Sequence, residues 1–312
     1  LPLGPFFQVL LRPGADISQL DPDLRKIYSI IWHIRIPRAL SALAAGGALA
    51  LSGAVIQGLF RNPLASPDVL GISAGSSLGA VLAIVTGASS FSLLAVPASA
   101  FAGSVLAALF VYGVSTRPGG THLLYLVLAG LAVSSLLNGI VSATLVFAEE
   151  YALSQFIFWT MGGLEGAVWV RILPPLPFIG LFAVILIALG EQLNLLSLGE
   201  EQAHSLGVPV QRLKIVLLLT ASALTAMAVA VAGPIAFIGL MVPHLVRLLT
   251  GPNHRSLLPF AALSGAVFLL ICDIIARTLI APYEIKTGII TALIGGPYFL
   301  FLILRHRRRG IV

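Results

Sequence analysis

The sequence predicts an all-α, polytopic membrane protein, and three observations predict it. Of the 312 residues, 58% are apolar and only 10% are charged, against about a quarter charged in a soluble domain. Several uncharged runs reach the roughly 18 residues that a helix needs to cross a hydrocarbon core of about 30 Å. Short alternating strands separated by turn residues, the signature of an outer-membrane barrel, are absent from the sequence. The formal net charge of +6 does not point to nucleic acid. Its arginines lie between apolar runs and cluster near the C-terminus, as membrane topology requires.

Residues 1–31 mix prolines (Pro2, Pro5, Pro13, Pro22) with acids (Asp16, Asp21, Asp23) and read as a surface segment with a short helix near Asp23 to Ile31. The first span is expected from Ile36 to Phe60. Along it Ala42, Gly46, Ala50, Ala54 and Gly58 recur every fourth residue, a ridge of small side chains that lets helices approach closely in a bilayer. After the turn Arg61 to Asp68, a second span runs from Val69 to Gly87 with Gly71, Gly75 and Gly79 on one face. Further spans are expected near Phe91–Ser115, Leu123–Ala148, Ile172–Gly190, Leu213–Ala232, Ile235–Leu249, Leu257–Ile280 and Ile285–Leu304, nine in all. Tyr151 to Met161, rich in aromatics and ending at Gly162-Gly163, is too short to span and fits a re-entrant or interfacial helix.

One polar island, Gln192 to Lys214, divides the chain. Within it a short helix is expected to start after Gly199 and to stop at a C-terminal glycine, with Leu206 and Val208 on one side and Glu200 and Glu201 on the other. The residues alone leave two readings open, a docking element and a connecting loop. Alternating spans put Arg61, Arg117, Arg212, Lys214, Arg247, Arg255 and the tail Arg305, Arg307, Arg308 and Arg309 on one side. The positive-inside rule makes that side cytoplasmic, with the island and the C-terminus on it.

Few residues carry chemistry. The only lysines are Lys26, Lys214 and Lys286, and none follows the glycines of a G-x-x-x-x-G-K-[ST] loop, so the chain has no P-loop for ATP. Cys272 is the single cysteine and no metal-ligand spacing occurs. Arg35 and Arg38 stand three apart, so they are expected to share a face at a helix start on the external side, where local rules disfavour cations. They read either as a surface for acidic groups or as side chains snorkelling to lipid headgroups. Asp273 and Arg277 are spaced i, i+4, either a self-neutralising pair or a functional one. Asn138, Ser142 and Thr144 either line a path or bond neighbouring helices. Gly71-Ile-Ser73-Ala-Gly75 matches the nucleophile elbow of hydrolases, but it opens an apolar helix rather than following a strand.

Arg35-Ile-Pro-Arg38, LSGAVIQGLFRNPLASPDVLGISAG (Leu51 to Gly75), FWTMGGL (Phe158 to Leu164), LNLLSLGEEQAHSLGV (Leu193 to Val208), GPIAFIGLMVPHLVR (Gly233 to Arg247) and GPYF (Gly296 to Phe299) occur in order. Together they resemble the permease subunits of bacterial type II ABC importers for iron chelates, haem and vitamin B12, over nearly the whole chain. The resemblance implies one permease domain over 1–312, of a fold with ten helices. Against the nine spans counted here, the family's first helix is expected to lie outside this sequence, with 1–31 as the periplasmic segment after it. It also implies a homodimer in the inner membrane, two separate ATP-binding cassette subunits that use ATP and magnesium, and a periplasmic substrate-binding protein. No cofactor bound by this chain is implied. Leu198, Gly199, Glu200, Glu201, Ala203, Leu206, Gly207 and Val208 would form the coupling element against the ATPase. Arg35, Arg38 and Arg277 would dock the binding protein, with Asp273 holding Arg277 in place. The cargo is an iron complex, haem being favoured over a ferric siderophore on overall similarity, with vitamin B12 as the alternative. An ion-coupled secondary transporter is the reading from another class; it needs buried mid-span acids, and Asp273 is the only acid deep enough.

Overall fold

The computed structural model describes residue 9 and residues 21–117, 120–121 and 123–308. Most of the expected surface segment, up to residue 20, and Arg309 lie outside the described residues, as do the side chains of Arg117, Arg305, Arg307 and Arg308. Among the described residues the chain is helical apart from turns and a two-residue hairpin, Thr116–Arg117 with Gly120–Thr121.

Helix α1 (Pro22–Ser29) passes through a π-helical turn, Ile30–Arg35, directly into α2 (Ile36–Phe60). A 3₁₀ turn at Pro67–Leu70 leads to α3 (Ile72–Val85), followed by α4 (Ala88–Phe91), α5 (Ala95–Ser115) and α6 (Leu123–Val146). The aromatic stretch forms α7 (Glu150–Thr160), a helix of 11 residues in which Phe156 is buried and stacks on Trp159. At about 16 Å it cannot span. Then come α8 (Trp169–Ile172), α9 (Leu176–Ala188), α10 (Gly190–Ser197), α11 (Glu200–Ser205), α12 (Val210–Ala232), α13 (Ile238–Thr250), α14 (His254–Thr278) and α15 (Thr287–Arg308).

Six helical stretches among the described residues are long and apolar enough to cross a membrane: Pro22–Phe60, Ala95–Ser115, Leu123–Val146, Trp169–Ala188, Val210–Ala232 and His254–Thr278. The other three of the expected nine are shorter apolar helices, Ile72–Val85, Ile238–Thr250 and Thr287–Leu302. Two of them are shortened at their starts for visible reasons. Ahead of α3 the chain turns through Pro67–Leu70 and Gly71, whose φ of 73° is left-handed. Ahead of α13 it runs non-helically from Gly233 to Phe237, which itself has φ 69°. Irregular backbone within a helical membrane domain is tolerated where it is buried in protein or lines a cavity. Both segments meet that condition: they line one cavity of about 390 Å³, Pro67 and Asp68 from the first and Pro234 to Phe237 from the second, together with Ser73 and Thr225. Ser73 donates its hydroxyl to Asp68.

The small-residue ridge does what its spacing predicts. Helix α2 is the hub, packed along α14, α12 and α13. A Cβ on Gly46 would lie 2.3 Å from the Gly265 carbonyl of α14, so only glycine allows that approach. Helix α3 packs on α5 in the same way, Gly75 against Gly103. In a bilayer, where lipid is as apolar as leucine, this close contact is the main source of helix association.

Candidate functional site

The charged side chains sort to the two ends of the bundle. At one end Arg38, at the start of α2, is only 6% exposed. Its Nε and Nη2 donate to Asp273 of α14 at 3.0 to 3.1 Å, and its Nη1 donates to Glu284 at 2.8 Å. Arg277 Nε reaches the same Asp273 at 3.2 Å, and Thr287 donates its hydroxyl to it at 3.2 Å. Nearby, Lys286 pairs with Glu165 at 3.0 Å and lies over the Phe158 ring. Arg35 stands apart: it is exposed and makes no ion pair among the described residues.

The expectation that Arg35 and Arg38 share a face is therefore corrected. The helix does not begin at Arg35. It arrives there through the π-helical turn, in which the Ile36 N–H bonds to the Ile31 carbonyl, five residues back. From Arg35 onward the backbone is α-helical, so the two side chains stand about 60° apart around the axis, and the edge of the packed face falls between them: Arg38 is buried and Arg35 exposed. Arg38 and Arg277 are brought together through Asp273.

At the other end lies the polar island. Gly199, with φ 137°, opens α11, and Gly207, with φ 83°, closes it. The Val208 N–H bonds to the Ala203 carbonyl and the Gly207 N–H to that of His204, the paired bonds of a Schellman cap. Ala203 and Val208 are buried, whereas Leu198 and Leu206 are 63% and 60% exposed. Leu206 and Val208 thus do not share a side, because the left-handed Gly207 between them reverses the chain. Glu200 and Glu201 are exposed along with Leu206.

The island is clamped to three long helices. Arg61, capping α2 with φ 50°, donates to the Leu196 carbonyl at 2.9 Å. Asn194 accepts the His254 N–H of α14 at 2.8 Å and donates to Asn253 at 2.8 Å. Buried Lys214 of α12 pairs with Glu200 at 2.5 Å. Arg247 donates to Gln57, which donates in turn to the Leu240 carbonyl. Lys214 and Arg61 are thereby held against the island, and Arg255 pairs with Glu191 just ahead of it.

The weaker path candidates lie on α6. Asn138 and Ser142 are exposed there, and Thr144 donates to the Ile140 carbonyl of its own helix. The structure brings them to neither charged end. Only Leu126, Gly130, Val133 and Val141 of α6 are buried, so the helix presents most of its apolar surface outward. Among the described residues no group of three or more histidine, cysteine, aspartate or glutamate side chains could hold a metal.

Sequence reasoning gave no role to Glu284, Glu165 or Lys286, and it passed over Thr287 and Gln57. The one signal for Glu284 was an acid beside a span that already carried the Asp273–Arg277 pair.

The bundle is that of a multi-pass helical membrane protein with a charge cluster at one end and a clamped surface helix at the other, the form of a membrane transport subunit. Comparison with known proteins bears this out. The chain belongs to the FecCD transport family, whose model matches residues 6–305. It is 46% identical to the hemin transport system permease protein HmuU of Yersinia pestis, over 96% of this chain and 93% of that one. It is 45% identical to the cobalamin import system permease protein BtuC of Halobacterium salinarum, over 90% and 75%. Among solved structures it resembles an inward-facing conformation of a transporter assigned to the metal-chelate ABC type, with TM-score 0.84, 36% identity and coverage of 97% and 98%. The chain is thus a multi-pass permease subunit of an ABC transporter, and ATP hydrolysis belongs to another subunit.

Proposed function

We propose that this chain works as a homodimer in the inner membrane and moves an iron complex from periplasm to cytoplasm, with haem the favoured cargo. The observation that carries the cargo assignment is the 46% identity to a hemin permease along 96% of the chain. The nearly equal identity to a cobalamin permease makes vitamin B12 the second reading. The dimer places the outward apolar face of α6 against its copy, with Asn138, Ser142 and Thr144 toward the path. The three shorter apolar helices cross the membrane together with the six long ones.

Two ATP-binding cassette subunits, which use ATP and magnesium, dock on the segment Leu198 to Val208, through exposed Leu198, Glu200, Glu201, Leu206 and Gly207, while buried Gly199, Ala203 and Val208 hold it in place. The exposed Leu206 beside Glu200 and Glu201 on a glycine-bounded helix supports this reading. The island and the C-terminus then lie in the cytoplasm. A periplasmic substrate-binding protein docks at the opposite end on Arg35, Arg38 and Arg277, with Arg35 as the exposed cation. An ion-coupled mechanism is disfavoured, because Asp273 is already committed to two arginines and a threonine.

The test is uptake into proteoliposomes holding this chain, its ATPase and its binding protein, with haem, a ferric siderophore and cobalamin compared with and without ATP. ATP-dependent entry of haem alone is the predicted result. ATP-dependent entry of cobalamin alone would select the second reading, and entry driven by an ion gradient without ATP would refute the mechanism.

A further inference from the structure

Arg38 holds two carboxylates that differ in kind. Asp273 has a side chain 1% exposed and serves Arg38, Arg277 and Thr287 together. Glu284 has a side chain 43% exposed, lies between α14 and α15, and meets Arg38 through a single ion pair at Nη1, 2.8 Å long. The Nη1 edge is therefore the one edge of this buried arginine that borders external water. We propose that Glu284 is a placeholder, a carboxylate that an acidic side chain of the docking protein displaces from Arg38. The proposal rests on the reading of Arg35, Arg38 and Arg277 as the docking surface.

Charge balance makes exchange the favoured event. Arg38 and Arg277 carry two positive charges, Asp273 and Glu284 two negative ones. A third carboxylate added beside them would leave an uncompensated negative charge in a largely buried cluster, which is costly. If it takes the place of Glu284, the cluster stays neutral and Asp273 never moves. The displaced carboxylate returns to water that it already half faces. The backbone need not shift: the Ile285 N–H is fixed to the Ala276 carbonyl at 3.0 Å and the Tyr283 N–H to the Ile280 carbonyl at 2.9 Å. A side-chain rotation suffices. Glu284 thereby lowers docking affinity and retakes Arg38 when the partner leaves, which favours release.

The test measures binding of the purified substrate-binding protein to the assembled transporter in nanodiscs, across a salt series. Glu284→Gln and Glu284→Asp are compared with Arg35→Glu. Glutamine removes the competing charge; aspartate keeps the charge but is one methylene too short to hold Nη1. Both are predicted to bind about two- to fivefold more tightly at low salt, mainly through slower dissociation, and the gain shrinks as salt rises. Tightening by glutamine alone would reveal only the removal of a repulsive charge and would overturn the proposal, as would no tightening by either. In both cases weaker binding by Arg35→Glu would leave the docking surface standing. Unchanged binding by Arg35→Glu at low salt would remove the docking surface, and the placeholder with it.

Discussion

Asp273 is a single carboxylate that answers three donors on three elements, Arg38 of α2, Arg277 of α14 and Thr287 of α15. Removing its charge leaves a guanidinium that is nearly buried with only the half-exposed Glu284 to balance it. Breaking a buried pair from one side costs about 3–5 kcal/mol, whereas losing a partly exposed one costs up to about 1 kcal/mol. Asp273→Asn is therefore predicted to lower the melting temperature of the purified permease steeply and to reduce its monodisperse fraction, while Glu284→Gln changes both little. Equal effects of the two substitutions would mean that the cluster is held by packing and not by its shared carboxylate. The contrast also explains why the burial and ion pairs of Arg38 escaped prediction. Its partners lie 235 and 246 residues away, and helical spacing alone does not say which of two neighbouring cations faces the bundle.

At the scale of elements, what a sequence shows is a face, and what it omits is the partner. The four-residue recurrence from Ala42 to Gly58 marked α2 as a close-packing helix, yet nothing in it says that Gly46 meets Gly265 while Gly53 meets Gly239. Helix α11 was legible because glycines at 199 and 207 bound it chemically. Helix α10 was not, since its apolar and polar residues mix without an initiating cap. Length was misjudged for α3 and α13, where apolar composition continues through a turn or loop that the backbone, not hydropathy, imposes. Helix α11 and its glycine cap separate surface from core within the nine residues from Glu200 to Val208. Leu206→Glu and Glu201→Lys alter exposed positions and are predicted to detach the ATPase in pull-down while the permease melts as before. Ala203→Leu inserts volume at a site with no exposure, for an overpacking cost of about 1–3 kcal/mol, and is predicted to lose both stability and ATPase. If Leu206→Glu leaves the complex intact, the ATPase docks elsewhere.

For the whole molecule, α2 is the element that touches both ends. Arg38 near its start joins the external cluster, and Arg61 at its end holds the island through Leu196. The 23 residues from Arg38 to Arg61 separate the two sites by about 35 Å, far beyond the roughly 10 Å within which substitutions usually interact. Assembly at the two ends should then be independent, even though transport needs both. In the nucleotide-free transporter, Arg35→Glu is predicted to weaken the substrate-binding protein without changing ATPase association, and Leu206→Glu to do the reverse. The double variant should show the sum of the two losses to within about 0.5 kcal/mol. ATP-driven uptake, in contrast, should stop in either single variant. If Arg35→Glu loosens the ATPase, the resting bundle already transmits strain from one end to the other. The rigid clamp of Arg61, Asn194 and Lys214 would then be the structure through which it does so.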